Sequence, residues 1–154
     1  YEDPPEVGIR AFARIWAGWG PSQAFYRNKL HADLGQATAA DHISEFWEPN
    51  FLAFDANDLL GMMHTWQVAN IADNKIYNGD FEAACKAIQA KTILMPCKTD
   101  LYFPVADNEI QASLMSNTEL RPIPSEWGHI AGAPGLNPVD SAFIDNAHRE
   151  LLAS

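Results

Sequence analysis

The chain has only two cysteines, Cys85 and Cys97, and no C-x-x-C spacing. That argues against a zinc ribbon or a dithiol site and predicts two buried thiols. No H-E-x-x-H pair occurs, so no metal site is expected. Basic residues are scarce: ten Lys and Arg stand against twenty Asp and Glu, for a net charge of -10. A chain of that sign repels phosphate backbones, and nucleic acid is not an expected partner. There is no run of about 18 apolar residues, so no membrane-spanning helix is expected. No signal-peptide pattern is present either, and with the cysteine usage this predicts a cytoplasmic protein. The first residue is Tyr1 rather than Met, which points to sequence upstream. The absence with the largest consequence is chemical. No G-x-S-x-G turn, the elbow that presents a nucleophilic serine, exists in the chain.

What is present is a globular composition, 47% hydrophobic over 154 residues. A domain of this length buries roughly 70% of its unfolded surface. The first half reads as helical. Val7, Ile9, Phe12, Ile15, Trp16 and Trp19 fall near helical period between Pro5 and Trp19, and Gly20-Pro21 ends that run. Ser22 caps a second helix to about Leu34, and a third runs from Thr38 to Trp47, ended by Pro49. Asp55 opens a fourth, with Leu59, Leu60, Met62, Met63 and Trp66, and Asp80 caps a fifth from Phe81 to Gln89. Near Ala90 the texture changes. Thr92 to Pro96 reads as a short buried strand and Asp107 to Ser116 as a helix. Glu119 to Pro124 reads as a proline-rich strand near a sheet edge. Asn137-Pro138 opens a last helix to about Leu152.

Five helices followed by strand, helix, strand, helix predict an α/β fold: a helical region over 1–90 and the ending of an open parallel sheet over 91–154. Two parallel strands are not a stable sheet alone, so the remaining strands are expected from another chain or another copy.

Each predicted strand runs into one residue able to carry a proton or a charge. Asp100 follows the first, where an open α/β sheet places functional groups. Asp107, its rival, precedes a helical run and reads as an N-terminal charge. His129 follows the second strand, and from spacing alone it reads as a hydrogen-bonded loop residue. Ser125 reads as a turn residue and Ser22 as a cap. His64 reads as a partly buried helix residue, and His31, His42 and His148 as surface or helix-end residues. The aromatic and methionine stripe from Trp16 to Trp66 reads as core or interface.

A series of short segments runs through the whole chain in order. Pro5, Gly8, Ala13 and Arg14 come first, then Phe54-Asp55-Ala56-Asn57 and Ala87-Ile88-Gln89-Ala90-Lys91-Thr92. Asp100-Leu101-Tyr102-Phe103-Pro104 and Ser125-Glu126-Trp127-Gly128-His129 follow. With this series the chain resembles the C-terminal half of the homoserine O-acetyltransferase family, within the α/β-hydrolase fold. The resemblance implies a helical lid over 1–90, followed by the last two strand–helix units of the core. It implies Asp100 as triad acid and His129 as triad base, 29 residues apart, in the Ser, Asp, His order of that fold. The serine is then expected upstream.

The implied reaction is acyl transfer through an acyl-serine, from a small-molecule donor such as acetyl-coenzyme A to an alcohol or to water. No bound cofactor is implied. The expected partners are the N-terminal half of the fold and a second copy met through the lid helices. Many family members carry an acidic residue after the histidine, where the resemblance implies an anchor for the amino group of homoserine. Here that residue is Ile130, which gives weight to an ester hydrolase, or to an acyltransferase using another alcohol, instead. A non-catalytic interaction module is the remaining alternative. Arg14 matches a family position, with lid structure or cosubstrate phosphate binding as its two readings.

Overall fold

Helix α1 spans Glu6–Trp19 in the computed structural model, which describes residues 2–153; Tyr1 and Ser154 lie outside the described residues. Its buried face is Ile9, Ala13 and Ala17, spaced by four so that they stack along one side. The small alanines allow close approach to α4, Glu48–Leu52, where Phe51 meets Phe12 edge-on at 5.2 Å and Trp16 at 5.7 Å. Gly20 ends α1 where any side chain would strike a neighbour. A Cβ there would lie 2.8 Å from the Trp47 ring.

The predicted second helix is broken. α2 is only Gln23–Arg27, capped by the Ser22 hydroxyl, which accepts from the Phe25 N–H at 3.0 Å. Lys29 then turns left-handed, with φ of 57°, and a tight 3₁₀ turn follows over Leu30–Leu34. The predicted third helix instead runs past its proline. α3, Ala39–Asp41, starts in a capping box between Thr38 and Asp41. A π turn over His42–Trp47 joins it to α4, and Pro49 sits in the first turn of α4. The π turn closes with a bond from the Glu48 N–H to the Ile43 carbonyl, five residues back. That wider turn accommodates the proline ring, and the missing N–H falls where the bonding register is already changing.

α5, Ala56–Val68, is capped by Asp55 as expected. Its residues Leu60, Met62 and Trp66 are about half exposed, as are Trp19 and Phe54, while Phe25 and Trp47 are buried. The aromatic stripe is thus core at one end and surface at the other. Three histidine expectations are corrected here. His31 and His42 are buried and His64 is exposed. His148 is exposed, as read.

These elements form one compact unit, which ends at Ala69; a second begins at Asn70. The division lies ahead of the compositional change near Ala90 because α6, Phe81–Lys86, packs against α7, Val105–Leu114. Strands β1, Thr92–Leu94, and β2, Thr118–Leu120, pair in parallel, with Ile93 opposite Glu119, and an isolated bridge joins Cys97 to Ile123. The strands are shorter than predicted because Pro96, Pro122 and Pro124 have no N–H for the ladder. They are half-buried rather than buried, since the two of them make the whole sheet among the described residues. α8, Pro138–Leu152, is capped by Asn137 as expected and packs on β1. Arg121 ties the end of β2 to α8, reaching Glu119 at 2.6 Å and Glu150 at 2.7 Å. Cys85 and Cys97 are free and buried. No described helix is long and apolar enough to cross a membrane.

Candidate active site

The parallel register brings the C-terminal ends of β1 and β2 side by side, and the loops that leave them meet. After β1 the chain turns at Cys97, whose carbonyl accepts the Asp100 N–H at 3.0 Å. The Asp100 carboxylate then divides its work. Oδ1 accepts the N–H groups of Tyr102 at 2.7 Å and Phe103 at 3.2 Å, a local turn that locks the side chain. Oδ2 lies 3.1 Å from Nδ1 of His129, in the 3₁₀ turn Gly128–Ile130. The carboxylate is nearly buried, with 6% of its side chain exposed, whereas the imidazole keeps 25%. An ionised carboxylate only accepts, so Nδ1 carries the shared proton and Nε2 is left as the basic nitrogen.

Two aromatic rings hold the imidazole in place. Tyr102 lies 4.8 Å and Phe103 5.4 Å from it, both tilted. Burial, and then the Asp100 carboxylate, push the Tyr102 hydroxyl above its ordinary pKa, so it is neutral at physiological pH. Asp100, Phe103, Asn108, His129, Met95 and Pro96 line an open pocket in front of the pair. A second hollow, between α1 and α5, is lined by Phe12, Leu59, Leu60 and Met63, with no titratable side chain in its wall.

The other candidates are placed elsewhere. Asp107 is in the first turn of α7, as its helix-end reading requires. Ser125 is buried and structural: its hydroxyl donates to Asp140 at 2.7 Å and accepts the Trp127 N–H at 3.1 Å. Ser22 is the cap of α2. Arg14 and Arg10 both grip the buried carboxylate of Glu48, at 2.8 Å and 2.7 Å, and hold it below the usual carboxylate range. That geometry favours the structural reading of Arg14. No group of three or more His, Cys, Asp or Glu side chains suited to a metal ion exists among the described residues.

Sequence reasoning missed Tyr102 and Phe103 as ring partners, although both lie in the segment that carries the resemblance. It also missed Thr99. Gly132, with φ of +76°, turns the chain behind His129, and a Cβ there would meet Ile144 Cδ1 at 2.1 Å. Gly132→Ala is therefore expected to destabilise the fold by about 1–3 kcal/mol, from left-handed strain and displacement of Ile144. Urea unfolding of the variant measures this, and a midpoint equal to that of the parent contradicts it.

No family model matches the chain. It is 31% identical over 153 residues to a probable esterase of Corynebacterium glutamicum, and covers 42% of that protein. It is 33% identical over 151 residues to ethyl acetate hydrolase of Pseudomonas veronii, again covering 42%. Among solved structures, an acetylester hydrolase from Corynebacterium glutamicum superposes with a TM-score of 0.90 at 30% identity, over 97% of this chain and 42% of that one. The acetyl esterase MekB superposes with a TM-score of 0.91 at 31% identity, with the same coverage. The chain thus spans about two fifths of each of these relatives, and its fold is part of an α/β fold of the kind they have. All four are named for ester hydrolysis. None is named for transfer to homoserine, so the hydrolase alternative is better supported than the transferase reading of the resemblance.

Proposed function

We propose that this chain supplies the acid and base of an α/β-hydrolase-type ester hydrolase whose substrates are small acetyl esters. The observation that carries the reading is the 3.1 Å contact between Asp100 Oδ2 and His129 Nδ1, in the loops that follow two adjacent parallel strands. The names of the similar proteins support the ester as substrate class. In this reading the nucleophilic serine belongs to sequence outside these 154 residues, and the helical unit keeps the lid role that the resemblance implies.

His129 Nε2 takes the serine proton as the hydroxyl oxygen attacks the ester carbonyl, and returns it to the departing alcohol. Water then attacks the acyl-serine, Nε2 again accepting the proton and passing it to the serine oxygen as the acyl–oxygen bond breaks and the carboxylic acid leaves. Asp100 keeps the Nδ1 tautomer and stabilises the imidazolium in both halves, while Tyr102 and Phe103 keep the ring from swinging away. Acyl transfer from acetyl-coenzyme A would use the same pair. Two observations weigh against it: Arg14 is occupied by Glu48, and Ile130 offers no charge to an amino acid acceptor.

The test uses the full gene product. Hydrolysis of p-nitrophenyl acetate and ethyl acetate is expected, with rates indifferent to homoserine. A fluorophosphonate probe is expected to label a serine outside the present sequence. Consumption of acetyl-coenzyme A only when homoserine is added would replace hydrolysis by transfer. Labelling of Ser22 or Ser125 would overturn the assignment of the nucleophile.

A further inference from the structure

We infer that Thr99 is a positioning residue for the Asp100–His129 pair, holding the two catalytic loops in register through a single hydroxyl. The inference rests on the ester-hydrolase reading of that pair. Thr99 directly precedes Asp100. Its Oγ1 accepts the N–H of Gly128, the residue directly before His129, at 3.2 Å. The same hydroxyl donates to the Ser125 carbonyl at 3.1 Å. A side chain next to the acid therefore grips the backbone next to the base, as donor and as acceptor at once.

The grip is backed from the other side. Cys97 Sγ donates to the same Ser125 carbonyl at 3.4 Å and lies 3.6 Å from Thr99 Oγ1. The Ser125 hydroxyl is fixed by Asp140, which is buried and also receives the Asn137 side-chain amide at 3.0 Å. The loop from Ser125 to His129 is thus hung between the Asp100 loop and the first turn of α8. Thr99 shares the Ser125 carbonyl with Cys97, and its hydroxyl alone also holds the Gly128 N–H beside the base. Valine has nearly the same shape but neither donates nor accepts. Removing the hydroxyl takes away the acceptor of the Gly128 N–H and lets the backbone beside His129 shift, and a displacement near 1 Å at a reacting group costs about 100-fold in rate.

The experiment compares Thr99→Val, Thr99→Ser and His129→Ala in the full gene product, each assayed on p-nitrophenyl acetate well below its own melting temperature. Thr99→Val is expected to lose about 10- to 100-fold in kcat with KM unchanged, and to slow fluorophosphonate labelling in proportion. Thr99→Ser, which keeps the hydroxyl, is expected to restore both. Thr99→Ala carries the same expectation as the valine variant if valine prevents folding. A folded Thr99→Val enzyme with parental kcat overturns the inference, as does an equal loss in the serine variant, which would make the methyl group the important part. His129→Ala separates the two levels. If it is inactive while Thr99→Val is unimpaired, only the role of Thr99 fails. If it is fully active, the reading of the pair fails too.

Discussion

His129→Ala in the full gene product is expected to lower kcat for acetyl ester hydrolysis by about 10⁴- to 10⁶-fold, with little change in KM. Asp100→Asn is expected to cost about 10⁴-fold. The second variant is the more diagnostic one. Asp100 Oδ1 accepts two backbone N–H groups, from Tyr102 and Phe103. An asparagine at this position keeps those bonds only by placing its carbonyl oxygen there. Its NH₂ group then faces His129, where Oδ2 now lies 3.1 Å from Nδ1. A donor at that point forces Nδ1 to be the acceptor and moves the imidazole proton to Nε2, so the ring can no longer take the proton of the serine. The loop should stay folded while the chemistry stops. Circular dichroism and melting temperature close to the parent, beside the loss in kcat, are the expected pair of results. Activity within tenfold of the parent in a folded Asp100→Asn protein would remove Asp100 from the triad.

The meeting of Asp100 and His129 was legible because each lies in the loop after a strand and because the segments around them occur in a family's order. The hydroxyl of Thr99 was not legible. It bonds to main chain, and a bond to backbone leaves no periodic or compositional trace. Tyr102 and Phe103 stood inside a quoted segment, but which side of the loop they face depends on the turn that Asp100 Oδ1 closes. Caps at Ser22, Asp55 and Asp80 in the helical half, and at Asn137 before the last helix, were readable from local chemistry alone. The break at Lys29 and the passage through Pro49 were not. A left-handed lysine and a π turn are decided by packing around Trp47 and His42, and neither residue type announces it. The strands are where the sequence places them but shorter: the prolines of the second strand signal a sheet edge in the sequence, whereas in the structure they and Pro96 end the ladder. The expectation about the acyl acceptor rests on one position, Ile130, where the resemblance implies an acidic residue.

His42 gives the other large expected effect: acidification from about pH 7 to about pH 4 should cost the helical unit about 3 kcal/mol through this one residue. Its ring is fully buried, stacked on Phe46 at 5.1 Å and near His31 at 6.3 Å. Both nitrogens are committed. Nε2 accepts the Trp47 indole N–H at 3.0 Å, and an indole only donates. The proton therefore sits on Nδ1, which donates to Gln36 Oε1 at 3.1 Å. Gln36 is oriented in turn by its own NH₂, which donates to the Leu34 carbonyl at 2.9 Å. This arrangement is complete only for a neutral ring, since a second proton would point a donor at the Trp47 N–H.

Burial first, and then the charge of His31, lower the pKa of His42 to about 4. The other titratable group facing it, Tyr26, has its hydroxyl pushed up to about 12 by burial and stays neutral throughout. Asp41, next in sequence, is engaged by Thr38. The folded value lies below the unfolded value of about 6.5, so between them the unfolded chain binds the extra proton. The stabilisation is whole above about pH 6.5 and is lost as the pH falls to about 4. His42→Gln cannot titrate and should lack this component, although it is less stable at neutral pH. Urea unfolding of both proteins across that range isolates the effect, because carboxylates common to the two cancel in the difference. Equal loss of stability on acidification in parent and variant would show that His42 is not the group responsible.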